Sequence, residues 1–220
     1  MNANETTTGH ATTELVFLLD RSGSMAGLET DTIGGFNAVL EQHRQQPGQA
    51  VLSTVLFDHE TLVLHDRADL QQVRPLTSDD YSVRGSTALL DAVGGSIKHI
   101  AMVQRYLPDG FKPDKTIFVI TTDGMENASR RYSYDDVKRL ISEREEQGWE
   151  FLFLGANIDA AKEAGRIGIP AARAARYVAD GEGSAVMFGA VAQATCNLRE
   201  QQVLSEDWSD AIADDLEARG

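Results

Sequence analysis

Leu15-Val16-Phe17-Leu18-Leu19-Asp20-Arg21-Ser22-Gly23-Ser24 is the stretch on which the reading of this chain turns. The apolar run predicts a buried strand over 14–19. The residues after it put one carboxylate and two hydroxyls in a tight turn at the strand's carboxyl end. All three are hard oxygen donors, with no Cys or His among them. Such donors suit Mg²⁺, Mn²⁺ or Ca²⁺ and serve softer metals poorly. A metal held in this turn needs further oxygens from other strand ends.

Outward from that stretch the pattern alternates strand and helix. A helix is expected over 30–44, with Ile33, Phe36, Leu40 and His43 at helical spacing. Gly34 and Gly35 weaken it by propensity and predict close packing on the sheet. Strands over 50–57 and 61–65, joined by Asp58-His59-Glu60, read as a hairpin, so one antiparallel strand enters an otherwise parallel sheet. A long helix follows over 87–107. The strand over 115–122 is apolar at its centre, as a central strand covered on both faces requires. Ser133 and Asp136 resemble a capping box for a helix over 134–147 that Gly148 closes. Then come a strand over 149–155, a short helix over 160–165, a short strand over 176–179 and a helix over 182–201. This order predicts a doubly wound, Rossmann-like α/β fold: a mostly parallel six-stranded sheet with one antiparallel edge strand and helices on both faces. The expected organisation is a flexible segment over 1–13, one domain over 14–204, and an acidic, helical, loosely docked tail over 205–220.

The chain has 220 residues and a formal net charge of -14. Phosphate binding needs clustered Lys and Arg, so the charge argues against nucleic acid and an anionic membrane surface. No apolar run is long enough to cross a bilayer, and the polar N-terminus does not read as a signal peptide. A cytoplasmic location is therefore the expectation, or an extracellular one if a leader has been removed. Cys196, the only cysteine, allows no intrachain disulfide and reads as a buried, inert thiol.

In a doubly wound sheet, ligands bind outside the carboxyl ends of the strands where the strand order reverses. Three segments are expected there: Asp20 with Ser22 and Ser24, then Gly85-Ser86-Thr87 before the long helix, then Thr121-Thr122-Asp123-Gly124 at the end of the apolar strand. Alone, each has an ordinary alternative as a turn or a helix cap. Together, over 14–201, they resemble the metal-ion-dependent adhesion site of von Willebrand factor type A domains at all five positions. The resemblance implies that Ser22, Ser24 and Thr87 bind a metal through their hydroxyls, and that Asp20 and Asp123 hold it mostly through water. Three neutral hydroxyls leave a divalent cation under-neutralised, with a position open to a partner's carboxylate. Glu126 and Asn127 read either as supports for these ligands or as solvated loop residues. Arg21 reads either as a grip on a partner's carboxylate or as the mate of a neighbouring acid. His59 and His65 read as structural or exposed.

The enzymatic alternatives lack their marks. A phosphotransferase on such a sheet would carry a second Asp where Ser22 stands, and the chain has neither a Gly-x-Ser-x-Gly elbow nor a Gly-Lys-Ser/Thr phosphate loop. The expectation is a non-enzymatic, Mg²⁺-dependent module that captures an Asp or Glu side chain of a partner protein, acting as an intracellular assembly or regulatory factor. The family resemblance adds an ATPase of the chaperone-like class as an expected partner. The alternatives are an extracellular adhesin of the same fold and a metal-dependent hydrolase.

Overall fold

The structure is a computed structural model that describes residues 12–219. Most of the expected 1–13 segment lies outside the described residues. Six strands form one sheet: β1 (Thr12–Asp20), β2 (Gln49–Phe57), β3 (Thr61–Asp69), β4 (Lys115–Thr122), β5 (Glu150–Ala156) and β6 (Ala174–Tyr177), in the order β3-β2-β1-β4-β5-β6. Only the β2–β3 pairing is antiparallel. The chain winds outward from β1 to β3, then returns to the other side of β1 with β4. The reversal therefore lies between β1 and β4, and the fold matches the sequence expectation.

Alternation along the strands divides the core in two. Leu15, Phe17 and Leu19 face α1 (Glu29–Arg44) and α5 (Gly181–Gln201). Val16 and Leu18 face α2 (Leu89–Tyr106), α3 (Tyr134–Glu145) and α4 (Ala160–Arg166). All eight residues of β4 are buried, as a strand covered on both faces must be. The Ser133–Asp136 capping box is present at the start of α3.

Several boundaries differ from the sequence reading for local reasons. α2 begins at Leu89 because Thr87 and Ala88 stay out of helical geometry, and the Thr87 carbonyl is taken by the amides of Asn127 and Ala128. β3 runs on to Asp69 through a register shift against β2, with Arg67 in the left-handed region at φ 49°. β6 starts two residues early, directly from the 3-10 turn Ala171–Arg173. The tail is not loosely docked. Helix α6 (Asp210–Arg219) packs against β6, with Trp208 and Ile212 buried, and the Trp208 indole donates to the Ala172 carbonyl at 2.9 Å. Arg219 ties α6 to the start of α5 through Asp180 at 2.8 Å.

The seam between α1 and α5 carries a buried polar chain. Burial, aided by the Arg199 charge, lowers the pKa of His43 to about 3. The neutral ring accepts from Arg199 at Nδ1 (3.1 Å) and donates from Nε2 to Thr195 (2.8 Å), which donates to the Val191 carbonyl (2.7 Å). Cys196 is buried beside it, with its thiol pushed up to about 11 by burial.

The glycine pair in α1 behaves differently from the expectation of sheet packing. A Cβ on Gly35 would lie 2.0 Å from the Phe188 ring, so Gly35 admits α5, not the sheet; Gly34 faces open space. Adjacent substitutions should therefore have opposite signs. Gly34→Ala should raise stability by about 0.5–1 kcal/mol through helix propensity. Gly35→Ala should cost about 1–3 kcal/mol through overpacking. Urea denaturation of the two variants measures both.

Candidate metal centre

The site is built at the reversal of the sheet. Asp20, the last residue of β1, is fully buried and acts as its anchor. One carboxylate oxygen accepts the Ser22 amide at 2.7 Å and the other accepts the Thr122 hydroxyl at 2.6 Å, which joins the ends of β1 and β4. Its carbonyl accepts the Tyr81 hydroxyl. The Ser22–Ser24 turn is pinned to the second loop by two backbone bonds, Gly23 amide to Gly85 carbonyl (3.0 Å) and Arg84 amide to Arg21 carbonyl (2.8 Å). Gly85 has φ +69° and His59 packs against it so closely that a Cβ would sit 2.1 Å from the ring nitrogen.

The third loop is fastened to the second. Asn127 accepts the Thr87 amide at 2.9 Å through its side chain and donates its own amide to the Thr87 carbonyl at 3.0 Å. The Glu126 carboxylate accepts the Leu90 amide at the start of α2, along with the amides of Ala128 and Ser129. These two residues are braces, and the solvated-loop alternative does not apply. Asp91 extends the brace by accepting three consecutive amides, of Arg130, Arg131 and Tyr132.

Three hydroxyls meet as a result. Thr87 donates to Ser22 at 2.9 Å, and the hydroxyls of Ser22 and Ser24 are 3.0 Å apart. They converge on Gly124. A Cβ there would lie 2.6 Å from the Thr87 oxygen, 2.8 Å from that of Ser24 and 3.5 Å from that of Ser22. Asp123 stands beside them and accepts from Asn157 at 3.2 Å. Ser22, Ser24, Thr87 and Asp123 line an open cavity of about 590 Å³, while Asp20 lies beneath its floor. The structure thus brings together all five residues picked from the sequence.

The electrostatics are those of carboxylates taken out of water. Burial raises the carboxyl pKa of both Asp20 and Asp123. For Asp20, the bonds from Thr122 and Ser22 offset this in part, and the charge of Asp123 adds to it. The donor set around the Gly124 cradle is entirely oxygen, with neutral and anionic members, and fits a hard divalent cation.

Arg21 does not reach for a partner. Its guanidinium is buried, 2.8 Å from the fully buried Asp58, which Arg84 also meets at 2.9 Å. Asp58, His59 and Glu60 have the spacing of a possible metal cluster, and Arg84 donates to both of its carboxylates, at 2.9 and 2.7 Å. The sequence reading passed over Tyr81, Asp91 and Asn157, and named Thr122 only as part of the third segment, with no role. Asn157 left a signal: it follows β5 at the strand's carboxyl end, and at φ 51° adopts the left-handed turn that Asn tolerates.

No protein-family model and no curated protein matches the chain by sequence. Solved structures do match by shape. The vWF domain of the type V pili tip protein Mfa5 from Porphyromonas gingivalis has a TM-score of 0.60 and 11% identity, over 86% of this chain and 96% of that one. Proximal thread matrix protein 1 from the mussel byssus gives 0.58 and 14% identity, over 86% of this chain and 46% of that one. A second structure of the mussel protein, with zinc in its MIDAS motif, gives 0.59 and 13%. This chain spans about half the length of the mussel protein's chain. These similarities establish the von Willebrand factor type A fold for the chain.

The buried charge of Asp20 has a measurable effect. An acid whose folded pKa is raised binds its proton more tightly in the folded state, so it opposes folding at neutral pH, less as pH falls below the raised value, and no longer below the ordinary one. In chelator, Asp20→Asn should therefore melt above wild type at pH 7. The gap should close as pH falls toward the ordinary carboxylate range. Paired calorimetric scans from pH 7 to pH 4 measure it.

Proposed function

We propose that this chain is a divalent-metal-dependent protein-binding module whose metal is held by Asp20, Ser22, Ser24, Thr87 and Asp123. The observation that carries this reading is the convergence of three hydroxyls, from two separate loops, on the one position where the third loop has no side chain. A bound divalent cation would supply a Lewis-acidic centre able to accept a carboxylate oxygen. The oxygen-only donor set favours Mg²⁺, with Mn²⁺ and Ca²⁺ as substitutes. The zinc of the mussel structure belongs to that protein.

The chain's own residues divide the work. Asp20 fixes the Ser22 turn from below and contributes charge without reaching the cavity wall. Glu126 and Asn127 hold Thr87 at the mouth of α2. Asp123 sits at the wall, positioned by Asn157. The open cavity then admits a protruding Asp or Glu of a partner protein. A partner that is basic overall would approach this acidic chain most readily. An ATPase of the chaperone-like class is one partner the family resemblance suggests. A binding role fits the cavity better than hydrolysis, because the wall carboxylates other than Asp123 are engaged. Asp159 caps α4, and Glu163 takes two bonds from Arg166, at 3.0 and 3.1 Å. No helix of the described residues is long and apolar enough to cross a membrane. The matched structures come from a byssus and a pilus tip, so they lend no support to a cytoplasmic location.

Titration calorimetry with Mg²⁺ and Mn²⁺ tests the assignment. Asp20→Ala and Asp123→Ala should each weaken the metal at least tenfold with an unchanged far-UV spectrum, and Gly124→Ala should do the same by filling the cradle. Thr87→Ala should reduce capture of a Glu-bearing peptide more than it reduces the melting temperature. Wild-type Mn²⁺ affinity in Asp123→Ala would sink the assignment.

A further inference from the structure

We propose that the groove between the second half of α2 and the end of α3 docks an acidic, apolar-anchored segment of a partner protein, independently of the metal centre. The groove has a volume of about 770 Å³, and its charged lining residues are Lys98, Arg105, Lys112 and Arg144. All four are cations, in a chain with 34 acidic residues against 20 basic ones. Two of them are free of carboxylates among the described residues. Lys98 sits 4.8 Å from the Tyr132 ring centre, and Arg105 sits 5.9 Å from that of Tyr106.

Apolar surface is concentrated at the same place. Met102 and Tyr106, in the lining, are 56% and 78% exposed, and Phe111, next to Lys112, is 70% exposed. These are three of the seven large hydrophobic residues that the described chain leaves exposed. Cations near a helix C-terminus offset the helix dipole, which accounts for Arg105 and Arg144. That effect does not account for the apolar side chains between them. Tyr, Phe, Met and Arg are the residues enriched at interfaces, and the charge of the groove complements an acidic partner. Met102 lies thirteen residues along α2 from Leu89 at the metal centre, about 20 Å at the helical rise. One partner, or two, can therefore occupy both sites.

The test uses the full chain and a fluorescein-labelled 16-residue peptide of Glu and Leu at helical spacing, followed by anisotropy in 50 mM NaCl and chelator. Wild type should bind, and 500 mM NaCl should weaken it severalfold. Lys98→Glu/Arg105→Glu should weaken it at least tenfold and Lys98→Gln/Arg105→Gln severalfold, while Arg130→Glu/Arg139→Glu, on the surface elsewhere, should leave it unchanged. Tyr106→Ala should weaken it severalfold, which a purely ionic site would not show. Equal losses in the two charge-reversed variants would overturn the proposal as general electrostatics. Equally tight binding of a 16-nucleotide single strand would overturn it in favour of any polyanion. A concentration-dependent oligomer abolished by Lys98→Glu/Arg105→Glu would assign the groove to a second copy of the chain instead.

Discussion

A carboxylate with no access to water must have its lone pairs satisfied by the protein, and Asp20 imposes that demand at the centre of the fold. Its oxygens are met from two directions, by the Ser22 amide ahead of it in the chain and by the Thr122 hydroxyl from the neighbouring strand. The first bond curls the turn that presents Ser22 and Ser24. The second locks that turn to the loop carrying Asp123. The spacing of the hydroxyl cluster thus follows from one buried acid at the place where the sheet changes winding direction. The raised pKa of Asp20 shows that these bonds do not fully offset its burial. A site left in this state is suited to a positive ligand.

The second loop is held by a different device. Asp58 accepts a hydrogen bond from Arg84 of the second loop and pairs by charge with Arg21 of the first, 2.8 Å away, so one buried anion ties two loops together. His59 presses on the glycine between them. Losing either arginine would leave a buried charge partly unmatched, which costs more than an exposed ion pair can return. The arrangement puts the positive charge of the motif behind the cavity and leaves the oxygens in front.

Much of this was legible in the sequence. Apolar runs ending in oxygen-rich turns, alternating with helical periods, specify both the winding and the end of the sheet where the loops gather. Ser22, Ser24, Thr87 and Asp123 could be picked because their segments are expected at one end of the sheet and together resemble the adhesion site of von Willebrand factor type A domains. The braces were not legible to the same degree. Tyr81 reaches the site across 61 residues of chain, and no local pattern announces that contact; Asn157 left only its place at the end of β5. The glycines of α1 show the same limit: helical propensity marks both as unusual, but only the neighbouring helix reveals which one is needed. The tail helix could be anticipated as helical, whereas its grip depends on Trp208 finding a carbonyl on a distant turn.

The two margins of the sheet are treated unequally. At β6, a short strand is overlain by a tail helix anchored through an indole and an arginine. At β3, the strand is longer, and it is interrupted by a register shift and carries Asp66, Arg67 and Asp69. Neither border offers a long, flat, uncharged backbone ladder to another chain. Many copies could therefore crowd together, each presenting its cavity, without stitching into a continuous fibre.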